Sequence, residues 1–435
     1  MAWLALVGGA ALPLFWIPFA QIEVTRNDAQ ARCPETITFH LAASASNTIG
    51  TVELEFGTDA QACGESISRI VPGDFQRGST VTTEWTWDLR RTGALPPGTT
   101  VWWRWILRDV SGAELITPDQ QLSLEDTRHT WQERTSGLLQ LYWYEGTPTF
   151  AQGLLDAGED ALATIRMAMG VHDEGEIRLY IYANPSAMQS ATLFAPDWSG
   201  GLAFPQHRAV LIAVAPSELE WGKRTVAHEL THVVIGQYSF SCLNSTPPWV
   251  DEGLAMFTEG DLDPGLAGQL DDAIRQGTLL PTRSLGEVFS NDPARARLAY
   301  AQSFSLVSFL IEEHGPEKMV RFLDQFRQGA SIDRALQGVY SIDLDGLEAA
   351  WRAAKGAPAV LSTTVPEENS TRTPYPTYAP LGGPNSLAST VTPPPVGQPA
   401  NQEPTTGRCG LPAAVGAVGL ALILVPRRQR AGGRP

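Results

Sequence analysis

The chain changes periodicity twice. From residue 21 to about 126, polar and apolar side chains alternate in short runs: Thr36–Leu41, Thr51–Phe56 and Thr80–Trp87 change face at every residue, and Val101–Leu107 is dense in tryptophan and branched side chains. Pro96-Pro97-Gly98 and Asp109–Gly112 supply turns between such runs. Short period-two segments at this spacing predict an antiparallel β-sandwich, with its tryptophans in the core. From 130 to 355 the pattern mixes. Leu138–Tyr144, Ile177–Tyr182 and Ala209–Val214 read as strands, Phe150–Met169 has helical period, and Arg224–Trp351 is mostly helical with breaks at Gly260, Pro281 and Gly315. A mixed sheet followed by a helical half predicts an α+β domain. Residues 356–408 lose all period and are dominated by Pro, Thr, Ser, Gly and Asn, the composition of a linker without a core.

Both ends change the picture. Met1–Ala20 is apolar and carries no charged side chain, which predicts a signal peptide ending near Ala20. Residues 409–426 are mostly uncharged and apolar, and Arg427, Arg428 and Arg430 follow at once. That order predicts a short C-terminal membrane segment with residues 427–435 as a cytoplasmic tail and the folded domains outside. The net charge of −16 over 435 residues argues against nucleic acid as a partner, since a phosphate backbone demands a basic face.

Four cysteines, Cys33, Cys63, Cys242 and Cys409, form no Cys-x-x-Cys pair, so a cysteine-built zinc site is not expected. Cys33 and Cys63 lie in the same predicted small domain and could pair if the chain is exported; the alternative is two buried thiols.

The chemistry concentrates in His228-Glu229-Leu230-Thr231-His232, inside a predicted helix from Trp221 to Tyr238. Histidines four apart present their rings on one helix face, a turn apart, which is the spacing two nitrogen ligands of one tetrahedral zinc require. A catalytic zinc takes three protein ligands and keeps one position open. Nineteen intervening residues after His232, Glu252 falls in the first turn of a second helix, behind Pro247 and Pro248. His207 and His314 have no partner at ligand spacing and are expected at the surface.

His-Glu-x-x-His followed by Trp249-Val250-Asp251-Glu252-Gly253-Leu254-Ala255 resembles the gluzincin, or peptidase MA-like, zinc metallopeptidases, which include the zinc aminopeptidases. Glu259, seven residues after Glu252, also matches an acidic position there. The resemblance covers roughly 135–355. It implies a thermolysin-like fold, a zinc ion on His228, His232 and Glu252, and hydrolysis of peptide bonds in peptide or protein substrates. Glu229 would be the general base for the attacking water. Tyr300, downstream of the third ligand, would donate to the tetrahedral oxyanion. The aminopeptidases' Gly-Ala-Met-Glu-Asn motif is missing; Gly200-Gly201-Leu202-Ala203-Phe204 stands in its place, which favours an endopeptidase. The N-terminal domain, with Leu-Pro-Pro-Gly-Thr before an aromatic strand, resembles fibronectin type III domains. The competing reading is an inactive peptidase fold used as a cell-surface scaffold; such a protein commonly loses its base or a ligand, and here all four residues are present.

Overall fold

The computed structural model describes residues 22–64, 67–93, 95–195, 200–287 and 293–359. The expected leader at 1–20, nearly all of the 356–408 linker and the 409–426 membrane segment lie outside the described residues. Among the described residues no helix is long and apolar enough to cross a membrane.

The N-terminal part is antiparallel β throughout, with strands β1 (Ile22–Arg32), β2 (Thr36–Thr58), β3 (Ser68–Ile70), β4 (Gly78–Asp88), β5 (Thr100–Asp109), β6 (Glu114–Ile116) and β7 (Gln120–Ser123). The alternating runs Thr36–Leu41 and Thr51–Phe56 are two halves of the single 23-residue strand β2. Its first half pairs with β1 and β4, its second with β5 and β3, and the register shifts between Ser44 and Ile49. A bulge at that shift bends the strand and lets both halves close on one core. There Phe39 meets Phe56 at 5.6 Å and Trp103 edge-on at 5.5 Å. Trp103 and Trp105 are buried, as the alternation predicts.

The second part holds a five-stranded mixed sheet and a helical half. Its strands are β8 (Gln132–Ser136), β9 (Leu139–Trp143), β10 (Ile177–Tyr182), β11 (Gly201–Phe204) and β12 (Ala209–Ala213), in the order β11-β12-β10-β9-β8. The central β12, β10 and β9 are parallel; β11 and β8 run antiparallel at the edges. The helices are α1 (Pro148–Met169), α2 (Pro185–Gln189), α3 (Leu219–Tyr238), α4 (Pro248–Thr258), α5 (Pro264–Gln276), α6 (Pro293–His314), α7 (Pro316–Arg327), α8 (Ile332–Tyr340) and α9 (Leu344–Ala354). Local signals place α1: Thr147 caps it by accepting from Phe150 N–H, Pro148 fills the first helical position, and Gly170 ends it in the left-handed conformation. Strand alternation then sorts the two faces. Leu139, Leu141, Trp143, Leu179 and Ile181 join the core shared with α1 and α3. Tyr180 and Tyr182 point to the opposite face, where Met188 of α2, Trp131 and Tyr142 cover them. The whole is α+β, with an antiparallel β domain preceding the mixed sheet and its helices.

Neither of the two alternatives for Cys33 and Cys63 holds. The disulfide joins Cys63 to Cys242, with Cα atoms 5.5 Å apart, and Cys33 is a free, half-buried thiol. Cys33 is held in the β1–β2 turn against the β-domain core, lining a small cavity with Leu95, Leu124 and Asp126. The loop after β2 turns instead toward the second domain, where Gln61 N–H donates to Gln206 O at 2.9 Å. The partner of Cys63 therefore lies 179 residues on, in the loop between α3 and α4.

Candidate metal centre

Helix α3 runs through the interior. Val226, Leu230, Val233 and Val234 bury one side of it, and the histidine face is buried too: His228 and His232 are each 2% exposed and Glu229 is 0% exposed. The two imidazoles lie a turn apart with ring centroids 4.8 Å from each other. Helix α4 starts on Pro248, so no N–H is lost at its first position, and carries Asp251 in its first turn with Glu252 directly after it. At Gly253 it lies so close to α6 that a Cβ would stand 2.5 Å from the Ser303 carbonyl oxygen. Glycine there lets α4 seat deeply enough to bring Glu252 to the histidines.

The donor atoms converge. Glu252 Oε2 lies 3.4 Å from His228 Nε2 and 3.6 Å from His232 Nε2, and the three ligand atoms all fall within 4.8 Å of one another. Ligands about 2.0–2.1 Å from a tetrahedral ion stand roughly 3.4 Å apart, so the spacing suits zinc. The outer ring nitrogens are held by carboxylates: Glu259 Oε1 is 2.6 Å from His228 Nδ1, and Asp251 Oδ2 is 2.9 Å from His232 Nδ1. Arg224 in turn binds Glu259 at 3.0 Å. Carboxylates on Nδ1 fix the ring tautomer and turn each Nε2 toward the centre, where neither makes a hydrogen bond. The residues present fit a zinc ion with two nitrogen ligands and one oxygen ligand.

Burial alone would lower the histidine pKa values, but the facing carboxylates reverse this. Glu252 and Glu259 hold His228 up to about 10, and Asp251 and Glu252 hold His232 well above the ordinary range. Burial alone would raise Glu252; His232 and His228 bring it down to about 2. Glu229 goes the other way. Burial raises it to about 7 against the opposing pull of the two histidines, and neither of its carboxyl oxygens has a hydrogen-bond partner. The backbone of β11 lies against it, for a Cβ on Gly201 would sit 2.5 Å from Glu229 Oε1.

The structure thus brings His228, His232, Glu252 and Glu229 together. Tyr300 is buried in α6, three residues before Ser303, the residue on which Gly253 packs. Asp251 and Arg224 were not singled out from the sequence. Asp251 is inside the Trp-x-x-Glu-Gly segment, and Arg224 stands one turn before His228, so an acid or base beside a ligand was the available signal. His207 and His314, expected at the surface, are half-buried there. His207 is half-buried between the β domain and the β11–β12 turn, 3.3 Å from Thr99 Oγ1, and His314 is half-buried against Tyr340 at 4.9 Å.

Residues 157–356 match the family model of the Peptidase MA superfamily. The matched segment contains both helices that carry the converging side chains, α3 and α4. Among solved structures, the chain is similar to an M1 zinc metallopeptidase from Deinococcus radiodurans, at 11% identity and TM-score 0.31, covering 78% of this chain and 94% of that one. It is similar to Legionella pneumophila aminopeptidase A, at 12% identity and TM-score 0.33, covering 76% of this chain and 49% of that one. An aminopeptidase N family protein from Idiomarina loihiensis gives 9% identity and TM-score 0.31, over 71% and 70% of the two chains. No curated protein matches the chain. The family-model match and the His-His-Glu cluster agree on a metallopeptidase-like fold, with the three residues that could hold a metal ion on α3 and α4.

Proposed function

We propose that this protein is a zinc-dependent endopeptidase. The observation that carries the reading is the convergence of His228 Nε2, His232 Nε2 and Glu252 Oε2 beside a buried Glu229 that no protein donor satisfies. His228, His232 and Glu252 would hold the ion, which when bound supplies Lewis-acid polarisation of the scissile carbonyl and makes water a better nucleophile near neutral pH. Glu229 accepts the proton of the attacking water and returns it to the leaving amine, for which a carboxyl raised to about 7 by burial is well matched. Tyr300 is the candidate donor to the developing oxyanion. Asp251 and Glu259 hold the histidine tautomers. Gly200-Gly201-Leu202-Ala203-Phe204, along the edge strand beside Glu229, offers no carboxylate to anchor a substrate's amino terminus, which supports internal cleavage.

Metal analysis beside peptide-library cleavage tests this. Wild-type protein is expected to carry about one zinc per chain, and His228→Ala and Glu252→Ala to lose most of it together with activity. Unchanged zinc in both variants would remove the ligand assignment. Full kcat in Tyr300→Phe would assign the oxyanion donor elsewhere.

We further infer that the folded domains lie outside a membrane, held by the 409–426 segment. The apolar first twenty residues, the proline-threonine linker and the arginines after Val425 support this, as does a disulfide, which persists in oxidising compartments. External protease on intact cells should release the enzyme in soluble form; full-length protein in the cytosol would refute the topology.

A further inference from the structure

We propose that the β domain positions the metal centre, with the Cys63–Cys242 disulfide as its covalent tie to the loop that joins the two ligand helices. The inference rests on the zinc reading of the site. Residues 239–247 connect α3, which carries His228 and His232, to α4, which carries Asp251 and Glu252. The first turn of α4 has no side-chain cap, so the start of the helix, just before Glu252, is held by its packing on α6 and by whatever holds this loop. The loop has few apolar anchors, and Leu243 is 82% exposed. Its polar holds are Ser239 Oγ to Thr246 Oγ1 at 2.8 Å and Asn244 Nδ2 to the Ala330 carbonyl at 3.0 Å. Cys242, between them, is bonded to the β domain.

The same β-domain loop braces α3 from a second side. Gln61, two residues before Cys63, donates its N–H to Gln206 O in the turn Pro205–His207 that joins β11 to β12. That turn is hydrogen-bonded to the last turns of α3, Gln237 Nε2 donating to Pro205 O. Arg178 links the turn to the β domain again, donating to Gly98 O at 2.6 Å and to His207 O at 2.8 Å. The C-terminal end of α3 is therefore gripped between a buttressed turn and a disulfide, both reaching back to residues 61–63. Cutting the tie leaves every ligand side chain unaltered and leaves the loop between their two helices on its polar holds and on the packing of α4 against α6. Supports outside the ligand set typically change metal affinity by about 10–100-fold.

The test uses the full chain. Zinc release to a chromophoric chelator and kcat/KM on a cleaved peptide are measured for wild type, for Cys63→Ser/Cys242→Ser, and for Cys33→Ser as the cysteine control. The double variant is expected to keep its far-UV circular dichroism, to release zinc about 10-fold faster, and to lose about 10-fold in kcat/KM, while Cys33→Ser behaves as wild type. Should the double variant fail to fold during production, folded wild type reduced by a water-soluble phosphine supplies the same comparison. Zinc release unchanged by loss of the disulfide overturns the proposal. So does global unfolding on reduction, because the tie would then support the whole fold rather than the loop. Wild type that holds no zinc would overturn the zinc reading and this inference with it, an outcome distinct from wild type and variant holding zinc equally well.

Discussion

Two buried glutamates, one in each domain, separate a structural charge from a chemical one. Glu55 in β2 is 2% exposed and Glu229 in α3 is 0% exposed. Glu55 is fully answered: Arg104 Nε donates to it at 2.7 Å, Arg69 Nε at 2.8 Å, and a further Arg69 nitrogen approaches the same oxygen. Burial alone would raise its carboxyl, but the two guanidinium groups bring it below the ordinary value. Glu229 has no such answer and is raised to about 7. The first arrangement is how a fold tolerates a buried carboxylate; the second leaves a basic oxygen available for a proton that must come from outside the protein. Burial is thus uninformative by itself, and the partner set tells the two apart.

The largest expected effect breaks the comparison at Glu229. Glu229→Gln should keep zinc and lower kcat by at least about 10³-fold, because an amide cannot accept the water's proton. Its thermal midpoint should not fall, and a small rise is expected, since the substitution removes an unpartnered buried charge. Metal content, kcat and melting temperature on one preparation check all three. A large loss of stability would show that Glu229 serves packing instead.

Glu55→Gln is the converse. It should leave kcat and zinc content unchanged and destabilise the β domain by about 2 kcal/mol. Breaking a buried pair can cost more, but Arg69 is 57% exposed and Arg104 33%, so both guanidinium groups find water once the carboxylate is gone. Urea unfolding followed by tryptophan fluorescence reads this out. Stability equal to wild type would mean that the Glu55 cluster is a surface ion pair in effect.

How far each region could be read in advance follows from the range of the interactions that build it. His228, Glu229 and His232 sit within five consecutive residues, and helical period places them together without reference to the rest of the chain. Glu252 needs one further step, a second helix after a short loop, which the prolines before it announce. Ala209–Ala213 is a continuous apolar run and Ile177–Tyr182 is one apart from Arg178, and both strands fall where the pattern puts them. Strand β11 has four residues and no flanking period, so it stands out only once β12 is there to pair with it. The single β2 reads as two strands because Ala42–Gly50 is small and polar, and only pairing with β4 on one half and β5 on the other shows that the chain continues through it. The disulfide was the least accessible: proximity in sequence favours Cys33, while the partner depends on how two domains meet. Asp251 has its effect through the ring of His232, a contact between helices that no spacing rule within one helix encodes.

The smallest expected effect sharpens the comparison at the seam between the domains. His207 is a half-buried titratable group of the structural kind, but an imidazole where Glu55 is a carboxylate. Thr99 Oγ1 donates its hydrogen to Pro96 O at 2.8 Å, which leaves a lone pair for the N–H at His207 Nδ1, 3.3 Å away. Burial lowers the imidazole to about 4, Asp59 pulling it up and Arg178 pushing it down. A histidine whose pKa is lower folded than unfolded is stabilising when neutral. The unfolded chain binds the extra proton between about 6.5 and about 4, so stability is complete above pH 6.5 and declines as pH falls through that window. Discounted for partial exposure, the loss from pH 7 to pH 5 is about 1 kcal/mol. His207→Gln, which cannot titrate, should show a shallower decline than wild type by that amount in urea unfolding at the two pH values. All other groups contribute equally to both proteins, so the difference isolates the imidazole. Identical slopes would mean that His207 protonates as readily folded as unfolded, and that water reaches the seam between the β domain and the β11–β12 turn.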